Sequence, residues 1–265
     1  AILGELAKVQ LHAIQTSGNC IRNITTDQFA GVIEGEQLDP RPYCEMLRQW
    51  STLHPEFAFL PRKFKIAISA NTTDRAAILA HDVGIELKLN NSSVMADVYV
   101  GGGLGRTPII GSLLKSNLPA EELISYLEAV IRVYNQFGRR DNKYKARIKI
   151  LAKAMGIEAF GAKVDAQWAL KQQSELQITA SEVDRVSAYF SAPDYQSFTS
   201  ESSARLQQLL AGNRLFARWF EKNTLAHRHV GYRIVNVALK SAGNAPGDIT
   251  HTQLDALALL ADRFS

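Results

Sequence analysis

Leu60-Pro61-Arg62-Lys63-Phe64-Lys65, running into Ile66-Ala67-Ile68, is the stretch from which the rest of this chain can be read. Counted as a strand from Lys63, the two-residue period puts Lys63 and Lys65 on one face and Phe64 and Ile66 on the other. Two ammonium groups on one face repel each other, a cost tolerable in water or opposite an anion. A solvated edge strand is the commoner outcome of such spacing. An anion site is the other, with lysines as proton-bearing point charges and Arg62 as a planar fork.

Outward from there the pattern is mixed. Strands are expected over 64–70, 84–89 and 94–100, and a helix over 42–50. The clearest helix covers 119–137, with proline near its first turn, Glu121 and Glu122 at the positive end of its dipole, and Gly138 just past its end. Its buried face is Leu123, Ile124, Leu127, Val130, Ile131 and Tyr134. Residues 143–171 read as two helical pieces broken near Gly156, and 172–203 as a polar connecting region. Residues 2–14 carry a helical apolar stripe with no cap before it. Beyond residue 225, an alternating run over 235–240 precedes a helix capped by Thr250. The fold class is α+β (mixed α/β).

Composition bounds the function. The chain has 265 residues, 46% of them hydrophobic and 21% charged, which excludes wholesale disorder. No apolar run is long enough to cross a bilayer and no secretory leader pattern is present, so no membrane role is expected. Cys20 and Cys44 are the only cysteines; they fit a reduced, cytoplasmic interior and cannot make a four-cysteine metal site.

Three further segments could carry chemistry. Gly18-Asn19-Cys20-Ile21-Arg22-Asn23-Ile24-Thr25 reads as a tight, hydrogen-bonded loop with Arg22 among apolar neighbours. Val100-Gly101-Gly102-Gly103-Leu104 follows a strand, so it is either a plain tight turn or a place where backbone approaches something flat or charged. It matches neither a dinucleotide fingerprint nor a phosphate loop. The basic run from Gly138-Arg139-Arg140 through Lys143, Lys145, Arg147 and Lys149 suits a solvated face, a nucleic acid or a polycarboxylate. The net charge of only +4, and Tyr144 as the one stacking residue, argue against nucleic acid. His227-Arg228-His229 brings no further ligand, so no metal site is expected there. No Gly-x-Ser-x-Gly or His-Glu-x-x-His hydrolase signature exists.

Together these four segments resemble the sulfite and nitrite reductases that couple siroheme to a 4Fe-4S cluster. The resemblance spans roughly residues 1–170. It resumes near 225, where Gly231-Tyr232 through Gly247-Asp248-Ile249-Thr250 look like the start of that family's second ferredoxin-like half-domain. It implies four parts: 1–17 as the tail of a first ferredoxin-like half-domain, 18–171 as the siroheme/4Fe-4S-type reductase domain, 172–224 as a helical connector, and 225–265 as the truncated opening of the second half-domain.

By resemblance Arg22, Lys63 and Lys65 hold and protonate the substrate anion. Arg22, Asn23, Arg62, Arg140, Lys143 and Arg147 face the siroheme carboxylates or pocket, and Gly101, Gly102 and Gly103 lie against the ring. Lys65 favours sulfite, since plant-type nitrite reductases of the family tend to carry Asn there. The implied reaction is six-electron reduction of sulfite to sulfide, with electrons from ferredoxin or an NADPH flavoprotein. The family's cluster cysteines, spaced C-x5-C and C-x3-C, are expected beyond residue 265, and a second substrate arginine before residue 1. A fragment without them is expected to be inactive alone. The competing readings are a ferredoxin-dependent nitrite reductase forming ammonia, and a non-catalytic basic module that contacts RNA or another acidic partner through 139–153.

Overall fold

The computed structural model describes residues 1–170, 176–200 and 202–264. They fall into two units, residues 1–31 with 36–190, and residues 32–35 with 191–265.

The first unit is organised by a five-stranded sheet in the order β1 (Ile21–Thr25), β2 (Phe64–Ser69), β3 (Val83–Asn90), β4 (Ser93–Val100), β5 (Ser112–Pro119). β1, β2 and β3 are parallel, and β4 runs antiparallel to both of its neighbours, β3 and β5. β2 is therefore interior, which overturns the edge-strand reading. Only its opening residues keep the two-faced pattern. Ala67, Ile68 and Ser69 are buried in succession, as befits a strand covered on both sides. β3 and β4 are joined by the two-residue turn Asn91-Ser92. Both residues have positive φ (47° and 71°), the conformation a tight hairpin demands.

Helices α1 (Ile2–Lys8), α2 (Arg41–Ser51), α3 (Leu123–Phe137), α4 (Ile148–Met155), α5 (Ile157–Ala169) and α6 (Ala180–Ser187) belong to this unit. α3 buries ten of its fifteen residues. Leu123, Tyr126, Leu127, Val130, Ile131, Val133 and Tyr134 are all at 0% exposure, so it forms the centre of the core. Each such side chain contributes about 1.5–3 kcal/mol of burial. Gly156, at φ 84°, separates α4 from α5 where the sequence placed the break.

Some expectations change. β1 falls where a loop was read, and β5 was not foreseen. The polar stretch 172–203 contains α6, whose buried Val186 belongs to the core; residues 171–175 and 201 lie outside the described residues. The stripe over 2–14 yields only the short α1, with Ile2 and Leu3 exposed.

The second unit holds α7 (Ala204–Gly212), α8 (Arg214–Asn223), the strands β6 (Thr224–Ala226) and β7 (Arg233–Val235), and α9 (His251–Phe264). The alternation over 235–240 does not form a strand beyond Val235. None of its helices buries a residue. It also holds a ring cluster of Tyr195, His227, His229 and Tyr232, where the Gln196 amide donates to the Tyr232 hydroxyl at 2.9 Å.

Candidate functional site

The parallel strands β1, β2 and β3 begin at one edge of the sheet, and β4 ends there. Pairing passes from Ile21↔Phe64 to Asn23↔Lys65 with one residue too many on β1, leaving Arg22 as the bulged residue. A bulge re-aims the side chain that it carries. The Arg22 Nε donates to the Gly18 carbonyl at 3.1 Å, which fixes the arginine against its own loop. The loop is tied to the next strand by the Phe64 amide on Cys20 O and the Leu60 amide on Asn19 O, both at 2.9 Å.

Lys63 stands at the centre of the cationic groups. Its ammonium is held below the ordinary lysine range, first by partial burial and then by Arg22, Arg147, Lys65 and Arg62. Lys63 and those four cations come from three separate segments and share one electrostatic neighbourhood. Among the described residues none of Arg22, Arg62, Lys63 and Lys65 has a carboxylate partner within ion-pair distance, whereas Arg147 does.

That partner is Asp82, which the motif reading did not single out. It is 0% exposed at the start of β3. Its Oδ1 accepts from Arg147 Nε at 2.9 Å and Nη2 at 2.7 Å, and its Oδ2 accepts from the Lys65 amide at 3.0 Å. Its backbone carbonyl accepts from the Gly101 amide at 3.0 Å. Burial nevertheless pushes the Asp82 carboxyl above the usual aspartate range, outweighing the opposing pull of Arg147. No local pattern could have revealed it, because its partners lie 17 and 65 residues away.

Gly101, Gly102 and Gly103 are buried. Gly101 has φ 82°, and a Cβ on Gly102 would sit 2.3 Å from Leu79 O and 2.5 Å from His81 O. The close approach is thus to the chain itself: Gly102 lies against the 78–81 turn, while Gly101 and Gly103 lie against Ala152 and Lys149. The loop beyond is closed by reciprocal bonds between Gly103 and Ile109, and by the Lys149 ammonium, which donates to Leu104 O and Thr107 O at 3.1 and 2.6 Å. Burial and nearby Arg147 hold Lys149 below the ordinary range. Asn23 is exposed beside the bulge.

Two of the expected site residues stand apart. Arg140 is exposed, and its guanidinium donates to Phe59 O, Asn135 O and Asn135 Oδ1. Lys143 is exposed over the Tyr144 ring, 5.3 Å from its centroid. A cavity of about 520 Å³ elsewhere in the first unit is lined by Tyr43, Met95, Glu121, Val183 and Asp184 among others. Its lining includes no lysine or arginine, so it does not suit an anion.

The cationic cluster fits an acidic tetrapyrrole such as siroheme, since several cations without acidic partners share one neighbourhood. A 4Fe-4S cluster finds no such match. Cys20 donates its thiol to Ser17 O, and burial pushes Cys44 up to about 12. Among the described residues no three His, Cys, Asp or Glu side chains group as metal ligands, and two thiols cannot supply four.

Residues 17–172, more than half of the chain, match the family described as nitrite and sulphite reductase 4Fe-4S domain. The sulfite reductase (ferredoxin) 1 of Mycolicibacterium paratuberculosis is 35% identical over 158 residues, covering 58% of this chain and 28% of that protein. The chloroplastic ferredoxin–nitrite reductase of Arabidopsis thaliana is 27% identical over 179 residues, 62% of this chain and 29% of that one. The solved structure of the Mycobacterium tuberculosis NirA protein superposes with a TM-score of 0.67 at 25% identity, over 99% of this chain and 41% of that one. The chain thus spans less than a third of the length of these two curated relatives. Mixed α/β architecture, a shared cationic neighbourhood and the sequence match agree: the chain belongs to the nitrite and sulphite reductase family, whose cofactors are siroheme and a 4Fe-4S cluster.

Proposed function

We propose that the protein containing this chain reduces sulfite to sulfide, and that this chain supplies the cationic side of the pocket that receives the anion. The supporting observation is Lys63, partly buried among Arg22, Arg62, Lys65 and Arg147, in a group of cations mostly without carboxylate partners. Uncompensated like charges destabilise the fold unless an anion joins them.

Siroheme, when bound, would supply the iron that takes the anion and would pass on to it the electrons of the external donor. Everything else falls to side chains. Arg22, Lys63 and Lys65 gather the anion and orient its oxygens. Each oxygen lost from sulfite departs as water, so protons must be delivered beside it. The Lys63 ammonium, held low by burial and by its neighbours, gives up a proton more readily than an ordinary lysine. Arg62, with Arg22 and Asn23, would hold the cofactor's carboxylates. Arg140, Lys143 and the Asp82-bound Arg147 keep that role, and Gly101, Gly102 and Gly103 their place against the ring, on sequence resemblance alone. The cluster's thiolates do not come from the described residues, so no step is assigned to it.

Lys65 supports sulfite over nitrite by resemblance. The relative named as a nitrite reductase supports the second reading, in which the product is ammonia. Ferredoxin or an NADPH flavoprotein is the proposed donor, and the cytoplasm the proposed location. A basic module for RNA or an acidic partner is the weaker reading, because the 139–149 cations are largely bonded within the chain. The test is Lys65→Asn in the holoprotein, with sulfide and ammonia production measured side by side. A shift in preference towards nitrite supports the sulfite assignment, and an unchanged ratio counts against it.

A further inference from the structure

The anion reading uses the cations and leaves aside the one buried acid among them. We propose that Asp82 is a positioning residue of the anion site: its carboxylate locks Arg147 and the Lys63–Lys65 strand into one arrangement, and anion affinity depends on that lock. The inference rests on the reading that Lys63 and Lys65 serve an anion.

Three segments meet on this single side chain. One carboxylate oxygen takes both Nε and Nη2 of Arg147, and the other takes the Lys65 amide at 3.0 Å. The bond to Lys65 is made by backbone, so it sets the position of β2 itself and with it both flanking lysines. The Asp82 carbonyl holds Gly101. Behind Arg147, the buried Tyr134 hydroxyl donates to Ala146 O at 2.8 Å and anchors the same segment to α3. With the Asp82 side chain 1% exposed and that of Arg147 20% exposed, the pair faces inward and its guanidinium has little freedom. A side chain needed only to neutralise charge would have no reason to accept a bond from the Lys65 backbone.

Positioning and neutralisation predict opposite signs. Asp82→Asn removes a negative charge from a cationic neighbourhood, so electrostatics alone would tighten an anion's hold. If the lock matters, the loss of the charge-assisted bonds loosens the arrangement and weakens that hold. The experiment is sulfite titration of the holoprotein, followed by its absorption spectrum at matched siroheme content, with steady-state KM and kcat measured alongside. Asp82→Asn is expected to raise the sulfite dissociation constant and KM about tenfold, the scale of one lost hydrogen bond to a charged group, with kcat within about twofold. Unchanged or tighter sulfite binding overturns the proposal, and so does a fall in kcat with KM unmoved. Should Asp82→Asn fail to fold, Asp82→Glu decides by the same criteria, because it keeps the charge and displaces the carboxylate from Arg147 and the Lys65 amide. Lys63→Met separates the two claims. If it binds sulfite as tightly as wild type, the anion reading itself fails; if it weakens binding while Asp82→Asn does not, only the lock is wrong.

Discussion

Residues 62–65 and residues 139–149 are both basic stretches, and the fold treats them in opposite ways. In the second, Arg139 pairs with Asp141, Arg140 holds Phe59 and Asn135, Lys143 sits on Tyr144, Arg147 grips Asp82, and Lys149 holds two loop carbonyls. In the first, no carboxylate among the described residues answers the cations, and the positive charges crowd one another. Cations with internal partners build structure, while those without partners are the ones that the proposed function assigns to a ligand. Charge density along the chain does not distinguish the two cases.

That contrast can be broken by mutation. The largest effect is expected at Arg147→Ala, which strands a fully buried carboxylate and should cost about 3–5 kcal/mol of stability in denaturant unfolding. A loss under about 1 kcal/mol would move Arg147 into the ligand-seeking class. Lys63→Met should leave stability unchanged or slightly improved, yet slow sulfite reduction about a hundredfold, as expected for loss of a proton donor. Since the Lys63 ammonium is held below the ordinary lysine range, wild-type turnover should fall as pH rises through that lowered value, and the mutant should lack this alkaline limb. A limb that persists in Lys63→Met assigns it to another group. At the small end, Lys143→Ala should change stability by less than about 0.5 kcal/mol. A strong effect on siroheme content would restore it to the site.

Sequence periodicity found what local pattern controls. β2, β3, β4 and α2 are continuous runs with little interruption, and each appears within about a residue of its expected span; α3 ends at Phe137 as expected but starts at Leu123, four residues late, because Pro119 closes β5 and Ala120–Glu122 form a separate 3-10 turn. β1 escaped because Asn19, Asn23 and the glycine before them read as loop, and because its bulge interrupts the alternation. β5 escaped as a mostly exposed edge strand with Asn117 at positive φ. The shared neighbourhood of Arg22, Arg62, Lys63 and Lys65 could be approached through their order in the chain. Asp82 could not, since burial and two distant partners give it its importance, and His81-Asp82-Val83 is indistinguishable from an ordinary strand entry.

Lys149 carries a consequence of its own. By clasping the carbonyls of Leu104 and Thr107, it fastens the tip of the 103–109 loop to the first turn of α4, two residues from Arg147. The exposed tip and the arginine bound to Asp82 therefore hang from one short stretch of backbone, residues 147–149.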